Sequence, residues 1–271
     1  MEKTASPIDP DPNALQSDIQ RWLPKRWADI AGNEKLVHYL RDGLLNRVRK
    51  SDACSGNLFV TGDSRSGKTA MMSQFIRSAV CQKLDPDTLD PCDGTCEACR
   101  QNPIRYGLRG LFAQWADSRI FFAPVDCTEI SVSELQEVMQ EMNGWEGIRI
   151  VYLDEVHGLV RRGMDEMLLK PLDQCKFLWL ASSAITDGLH PMFLRRFIMR
   201  STIRPNVEEL SIWLAHRCNE FAITWDDSST LIALAERSDR TPGLALQVLA
   251  VAGDMPGRTL SRELVEEHIF V

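Results

Sequence analysis

The residues best suited to chemistry in this chain lie in a glycine-rich segment at positions 62–69. Its sequence is Gly62-Asp63-Ser64-Arg65-Ser66-Gly67-Lys68-Thr69, which fits the pattern G-x-x-x-x-G-K-[ST] at every position. Backbone N–H groups in such a loop bind phosphates, so we expect Lys68 to reach the β and γ phosphates of ATP and Thr69 to bind Mg²⁺. A chance match in a glycine-rich turn is the alternative. An apolar strand pattern before the segment and a helical pattern after it favour the phosphate loop.

Two adjacent acids form a second candidate site. Asp154 and Glu155 directly follow the apolar run at 148–153. Carboxylates at the carboxyl end of a parallel strand lie where α/β sheets bind ligands. We expect Asp154 to hold Mg²⁺ through its waters and Glu155 to orient and deprotonate the attacking water. A turn or a helix cap is the alternative, and a structural role is the more common one for the neighbouring His157.

A cluster of cysteines is the third candidate site. The chain has eight cysteines, and four of them fall within 19 residues: Cys81, Cys92, Cys96 and Cys99. Four thiolates in a tetrahedral arrangement suit a structural Zn²⁺. The loop between them offers little apolar surface to bury, so a metal is its expected organiser. An iron–sulfur cluster or free thiols are the alternatives, and Cys127 could replace Cys81 as a ligand.

Composition restricts the class of protein. The chain has 271 residues, of which 44% are hydrophobic and 25% charged, and this is typical of a globular protein. No apolar run approaches the roughly 20 residues of a membrane helix, and the N-terminus has no secretory h-region. We therefore predict a cytoplasmic protein with no membrane partner. The net charge of −7 argues against coating nucleic acid by bulk electrostatics, but not against a local DNA-binding patch.

The elements that must position these residues alternate between strands and helices. Five strands are predicted at 57–60, 119–125, 148–153, 176–182 and 198–203. Helical patterns between them predict an α/β fold with a parallel five-stranded sheet. After residue 205 the pattern changes to helices only. We predict a flexible leader at 1–20, a nucleotide-binding domain at 21–205 and a small C-terminal helical domain at 206–271.

Beyond these motifs, the chain resembles a known family. The sequence DEVH (154–157) after an apolar strand, with a cysteine-rich segment behind the phosphate-loop helix, is similar to the bacterial clamp-loader gamma/tau subunit of DNA polymerase III. The N-terminal stretch LPKRWADIAGNE (23–34) resembles that family's RPxxFxDIxGxE segment. The resemblance implies a P-loop AAA+ domain with a helical lid, and adenine contacts by Ile30 and Ala31 together with Trp27. It also implies a zinc module at 81–99, because the family has a four-cysteine module in the same place with tighter spacing.

The resemblance extends to further site residues. Ser183, or failing it Ser182, matches the sensor 1 residue, and Arg196 matches the arginine finger that acts on a neighbouring subunit's ATP. Arg195 replaces the serine of the family's SRC motif, and a surface charge or a DNA contact is the alternative for Arg196. Gly243 stands where many relatives have the sensor 2 arginine. The chain also ends before the family's collar domain could fit.

Three functions are compatible with these features. The first is an ATPase acting as a homo- or hetero-oligomer of AAA+ subunits to load or remodel a protein on DNA. The second is a nucleotide-dependent switch that recruits a partner protein, as in a mobile element or a defence system. The third is a subunit that binds ATP without hydrolysing it, which the intact motif residues Lys68, Thr69, Asp154 and Glu155 disfavour.

Overall fold

A computed structural model describes Trp22 and residues 24–50, 56–101, 120–144, 147–160, 163–174 and 177–268. The predicted leader at 1–20 lies outside the described residues. Within those residues, no helix is long and apolar enough to cross a membrane.

A parallel five-stranded sheet forms the centre of the molecule. Its strands are β1 (Leu58–Thr61), β2 (Ile120–Asp126), β3 (Ile148–Asp154), β4 (Leu178–Ser183) and β5 (Ile198–Ser201). They lie in the order β2-β3-β4-β1-β5 and all pair in parallel. Buried apolar residues make up most of β1 to β4, as expected for strands covered on both faces. The predicted α/β class and five-stranded parallel sheet are confirmed.

Helices cover both faces of the sheet. Three helices lie on one face: α1 (34–50), α2 (Lys68–Val80) and the short α3 (Glu97–Gln101). α1 consists of an α-helical turn Glu34–His38, a π-helical segment Tyr39–Leu45 and a second α-helical turn Asn46–Lys50. On the other lie α4 (Val132–Gly144), α5 (His157–Val160), α6 (Met164–Met167), α7 (Leu169–Asp173) and α8 (Pro191–Leu194). Side chains alternate along the strands, so each strand contributes to both cores.

The C-terminal part is mainly helical and has a core of its own. It contains α9 (Val207–Glu220), α10 (Ser228–Arg237), α11 (Pro242–Asp254) and α12 (Arg262–Glu267). Asn206 starts α9 with a reciprocal capping box, in which its side chain accepts from the Glu209 N–H and Glu209 accepts from the Asn206 N–H. Trp22 and Ala31 from the N-terminal segment pack into this core. The domain division at 205 and 206 stays a prediction.

One asparagine connects three strands of the sheet. The Asn57 side chain accepts a hydrogen bond from the Trp179 N–H (3.3 Å) and donates one to the Arg196 carbonyl (3.2 Å). Trp179 belongs to β4 and Arg196 precedes β5, and these two strands lie on either side of β1. The strand that leads into the phosphate loop is therefore fixed to both neighbours at its beginning.

Three local features differ from the sequence predictions. The apolar pattern at 164–172 predicts one helix, but two short helices form, because Pro171 lacks an N–H and its ring excludes a helical carbonyl four residues earlier. The π-helical segment in α1 has no signal in the apolar pattern. The C-terminal part was predicted to be helical only, yet β6 (Thr224–Trp225) and β7 (Thr259–Leu260) form a short parallel pair.

Candidate functional site

The glycine-rich segment forms a loop between β1 and the first residue of α2. Lys68 begins α2, and its Nζ donates to the carbonyls of Gly62 and Asp63, both at 2.8 Å. The Thr202 hydroxyl donates to Ser66 Oγ (2.9 Å), which ties the loop to the end of β5. Ser66 and Lys68 are buried, Gly62, Gly67 and Thr69 are half-buried, and Asp63, Ser64 and Arg65 are exposed.

Lys68 lies in a strongly desolvated position. Only 4% of the residue is exposed, and burial lowers the pKa of its ammonium group. The negative charges of Glu155, Asp154 and Asp63 act in the opposite direction and raise it. The predicted phosphate-binding lysine, the predicted magnesium ligand Asp154 and the predicted catalytic Glu155 therefore lie close enough to interact electrostatically.

Asp154 lies at the end of β3, and its hydrogen bonds converge on one oxygen. Asp154 Oδ1 accepts from the Tyr152 hydroxyl (2.9 Å), the Ser182 hydroxyl (2.6 Å) and the Glu155 N–H (3.2 Å). None of the hydrogen bonds found among the described residues goes to Oδ2. The carboxylate is thus held in one orientation with an oxygen available to a hydrated cation, an arrangement that fits Mg²⁺.

Glu155 adopts a left-handed backbone conformation, with φ of 49°, which is uncommon for a non-glycine residue. Its Oε2 lies 3.2 Å from Nδ1 of His157. The same ring nitrogen lies 3.1 Å from the hydroxyl oxygen of Ser183. The two serines matched to sensor 1 therefore have different partners, since Ser182 bonds to Asp154 and Ser183 contacts His157.

The helical C-terminal part contacts the phosphate loop directly. The Gly243 N–H at the start of α11 donates to the Arg65 carbonyl (3.1 Å), and the Arg65 side chain bonds to Gln247. A Cβ atom at Gly243 would lie 2.8 Å from both the carbonyl oxygen and the Cβ of Arg65. The position that many relatives fill with arginine therefore has no room for a side chain in this arrangement.

A second contact between these parts runs through Arg204. Its guanidinium donates to Asp63 Oδ2 from Nε (2.9 Å) and Nη2 (2.6 Å), and its Nη1 bonds to Asp239. The Asp63 carboxylate is the largest contributor to the raised pKa of Arg204. A single cation thus bridges the phosphate loop and the turn before α11. Sequence reasoning missed Arg204, because no motif marks it.

A groove of about 1080 Å³ lies between the N-terminal segment, the end of β5 and α9. Its lining includes Ile30, Tyr39, Arg204 and Trp213. Of the residues predicted to contact adenine, Ile30 lines this groove and Ala31 packs into the C-terminal core. Trp27 points elsewhere.

Trp27 is fixed to the cysteine-rich loop. Its indole Nε1 donates to the Leu89 carbonyl (2.9 Å), and its backbone N–H donates to the Asp90 carboxylate (2.7 Å). On the other side of the segment, Trp213 Nε1 of α9 donates to the Asp29 carbonyl (2.8 Å). The N-terminal segment is therefore held between the cysteine-rich loop and the helical part.

The four predicted cysteine ligands come together. The Sγ atoms of Cys81, Cys92, Cys96 and Cys99 all lie within 4.8 Å of one another, and the Cys81–Cys96 separation is 4.0 Å. Tetrahedral Zn–S bonds of about 2.3 Å give S···S distances of about 3.8 Å, so the cluster fits this ion. Cys127 is fully buried in the opposite core, away from this cluster.

Hydrogen bonds within the cluster favour a thiolate at Cys81. Backbone N–H groups of Cys92, Cys96 and Cys99 lie 3.3–3.4 Å from the sulfurs of Cys81, Cys92 and Cys96 respectively. A hydrogen bond from the Cys99 thiol is the main cause that lowers the pKa of Cys81 to about 5, and the same bond raises the pKa of Cys99. Thiolates are the form that binds metal.

Known proteins share this architecture. No protein-family model matches the chain. Its fold matches that of the Thermotoga maritima RuvB Holliday junction branch migration motor with a TM-score of 0.63 and 14% identity, covering 91% of this chain and 71% of that one. A mutant of the same protein gives a TM-score of 0.63 at 15% identity. The chain therefore has the same fold, with a parallel five-stranded sheet and flanking helices.

Sequence comparison identifies distant relatives among the subunits of DNA polymerase III. DNA polymerase III subunit tau/gamma of Haemophilus influenzae is 25% identical over an alignment of 261 residues that covers 92% of this chain. Subunit tau of Escherichia coli is 25% identical over an alignment of 249 residues that covers 86% of this chain. The chain spans about a third of the length of these curated relatives, 34% in each case. The resemblance predicted from the sequence motifs is confirmed at this level.

Proposed function

We propose that this AAA+ protein hydrolyses ATP and acts, as an oligomer of clamp-loader type, to load or remodel a protein on DNA. The observation that carries the ATPase proposal is the electrostatic proximity of Lys68 to Asp154 and Glu155. The cation follows β1 and the two carboxylates lie at the end of β3, with β4 between these strands. A phosphate-binding cation and carboxylates placed together in this way are what phosphoryl transfer to water requires.

Each residue has a proposed role in that reaction. Lys68 and the loop N–H groups bind the ATP phosphates, and Thr69 and Asp154 hold Mg²⁺. Bound Mg²⁺ supplies positive charge that offsets the charge of the phosphates. Glu155 orients and deprotonates the attacking water, and Ser183 contributes the sensor contact. Ile30 lines the groove proposed for the adenine base.

The experiment that tests this proposal replaces the water-activating group alone. We expect Glu155→Gln to bind ATP with nearly normal affinity and to lose hydrolysis by on the order of 10²–10⁴-fold. Glu166→Gln is the matched control, because Glu166 is an exposed acid on α6. Normal ATP turnover by Glu155→Gln would contradict the assignment of Glu155 as the group that activates water.

The action on DNA rests on the relatives, one of which is described as a Holliday junction motor and two as DNA polymerase III subunits. Particle images of the ATP-bound protein with and without duplex DNA test it. A ring or spiral around the duplex supports a loader. Isolated monomers under both conditions would contradict the loader proposal.

A second candidate function is a nucleotide-dependent switch that recruits a partner protein. The contact between the Gly243 N–H and the Arg65 carbonyl favours it, because the helical part is coupled directly to the phosphate loop within one chain. A switch requires ATP to change the position of α11, and it does not require subunits to complete each other's sites.

A further inference from the structure

Three side chains outside the phosphate loop meet at the carboxyl ends of β3 and β4. His157 Nδ1 lies 3.2 Å from Glu155 Oε2 and 3.1 Å from Ser183 Oγ. The proposed catalysis uses the glutamate and the serine but gives no role to the histidine between them.

The backbone around His157 is fixed from both sides. The Val156 N–H donates to the Ser182 carbonyl (3.0 Å), which attaches this turn to β4. Gly158 packs on the chain after β2, where an added Cβ would lie 2.2 Å from the Cys127 carbonyl oxygen. Because the turn cannot shift toward either neighbour, the position of the His157 ring is set by the ends of the sheet.

The hydrogen bonds of Ser183 define which nitrogen of His157 carries a proton. The Ser183 hydroxyl donates its single proton to the Ile185 carbonyl (2.7 Å). Its oxygen must therefore accept from His157, so that Nδ1 bears hydrogen. Glu155 Oε2 lies 3.2 Å from the same nitrogen, to one side of the N–H direction, and is a buried atom with no hydrogen-bond partner among the described residues. A buried carboxylate oxygen in this situation gains most from a nearby N–H donor.

We infer that His157 is a positioning residue. Its Nδ1–H bonds to Ser183 while the same nitrogen lies beside Glu155 Oε2, and so it sets the orientation of the catalytic carboxylate jointly with that of the sensor serine. This inference rests on the proposed function of Glu155. It explains how a glutamate with a left-handed backbone keeps a defined side-chain position, since His157 supplies the contact that the backbone alone does not.

Two variants of the full chain separate positioning from packing. His157→Asn keeps an N–H donor near the place of Nδ1, whereas His157→Phe keeps the ring and removes the donor. We expect His157→Phe to lower kcat by about tenfold or more with nearly unchanged affinity for a fluorescent ATP analogue, and His157→Asn to recover most of the rate. Ser183 also makes the proposed sensor contact, so Ser183→Ala in the His157→Phe background should lower kcat further, but by less than the sum of the two separate losses, because both changes break one network.

A purely structural histidine gives a different pattern. Its replacement would lower the melting temperature and the nucleotide affinity together, and asparagine would recover neither. Wild-type kcat in His157→Phe, beside an inactive Glu155→Gln, would overturn the inference and leave the proposed function intact. Normal hydrolysis by Glu155→Gln would instead contradict the proposed function.

A spectroscopic measurement tests the inference without hydrolysis. Ring ¹⁵N NMR distinguishes the two neutral tautomers, and His157→Asn assigns the signal among the five histidines of the chain. We expect His157 to carry its proton on Nδ1 and its signal to shift in Ser183→Ala. A proton on Nε2 would overturn the inference whether or not the protein hydrolyses ATP.

Discussion

Arg196 and Asp173 form a two-point ion pair within a single chain, with Nε 2.8 Å from Oδ1 and Nη2 2.6 Å from Oδ2. The hydrogen bonds of the pair raise the pKa of Arg196 and lower that of Asp173. The Arg196 guanidinium also contacts the Met192 carbonyl, and 18% of its side chain is exposed. Arg195, by contrast, is exposed, with a contact to the Met192 sulfur. An arginine finger at position 196 must therefore exchange an internal carboxylate for a phosphate of the neighbouring subunit.

Arg196→Ala tests this exchange. If Arg196 is the finger, the variant should bind ATP almost normally and hydrolyse it slowly, since fingers in related reactions contribute roughly 10³–10⁵ in rate. Mixing it with Lys68→Ala protein should restore part of the activity, because one mixed interface combines an intact site with an intact finger. Hydrolysis rates across a range of protein concentrations provide the measurement.

Two neighbours serve as controls for Arg196. Asp173→Asn removes the internal partner and should leave hydrolysis equal to wild type or faster. Arg195→Ala should have little effect. Loss of activity in Arg195→Ala instead would assign the arginine finger to residue 195. Wild-type activity in both arginine variants at all protein concentrations would favour the second candidate function, the nucleotide-dependent switch.

Lys68→Ala should reduce ATP affinity by at least about tenfold, because hydrogen bonds to charged groups contribute about 1.5–3 kcal/mol. Titration with a fluorescent ATP analogue measures this. Lys83→Ala provides the control, since Lys83 is exposed beyond the opposite end of α2. An unchanged affinity in Lys68→Ala would contradict the phosphate-loop assignment.

Gly243→Ala should destabilise the protein, although the same change inside a helix normally stabilises it. The new methyl group would lie 2.8 Å from the Arg65 carbonyl oxygen, and crowding of this kind costs about 1–3 kcal/mol of unfolding free energy. Urea unfolding measures the effect. Gly144→Ala is the matched helical control, because its Cβ would meet no atom within 4 Å. Equal stability of the two variants would show that α11 does not dock on the loop in solution.

Zinc should copurify at about one equivalent per chain, and Cys96→Ser should lose the metal and lower the melting temperature. Elemental analysis of both proteins measures this. Cys218→Ser, which alters a buried cysteine of the C-terminal core, should retain the metal. Iron in place of zinc, or no metal in the wild-type protein, would refute the assignment.

Local sequence signals predicted the sheet and the meeting of its motifs. The apolar runs that became β1 to β4 are continuous, and the carboxyl ends of parallel strands meet at one edge of a sheet. Asp154 and Ser182 therefore had to approach each other, and they form a hydrogen bond of 2.6 Å. The cysteine spacing predicted the cluster but left Cys81 and Cys127 as alternatives. Only the path of the chain after α2 determines that Cys81, and not Cys127, joins the cluster.

Contacts between distant segments could not be predicted in this way. No sequence motif distinguishes Arg204 from other arginines that precede a proline. Its bridge from Asp63 to Asp239 depends on how the helical part packs against the phosphate loop. Gly243 suggested a missing side chain, whereas its close approach to Arg65 shows that the space is filled by backbone. The pairing of Arg196 with Asp173 likewise depends on the packing of α7 against α8.

Asn57 also has a consequence for how the protein folds. Its two strand partners lie 122 and 139 residues away along the chain, so β1 is flanked only by strands that are synthesised much later. Contacts of such long sequence separation slow folding, because the loop must close before the contact forms. During translation, β1 has neither neighbour until β4 and β5 have left the ribosome. Until then this apolar strand and the glycine-rich turn behind it are exposed to chaperones and proteases, so the ability to bind nucleotide is among the last properties that the nascent chain acquires.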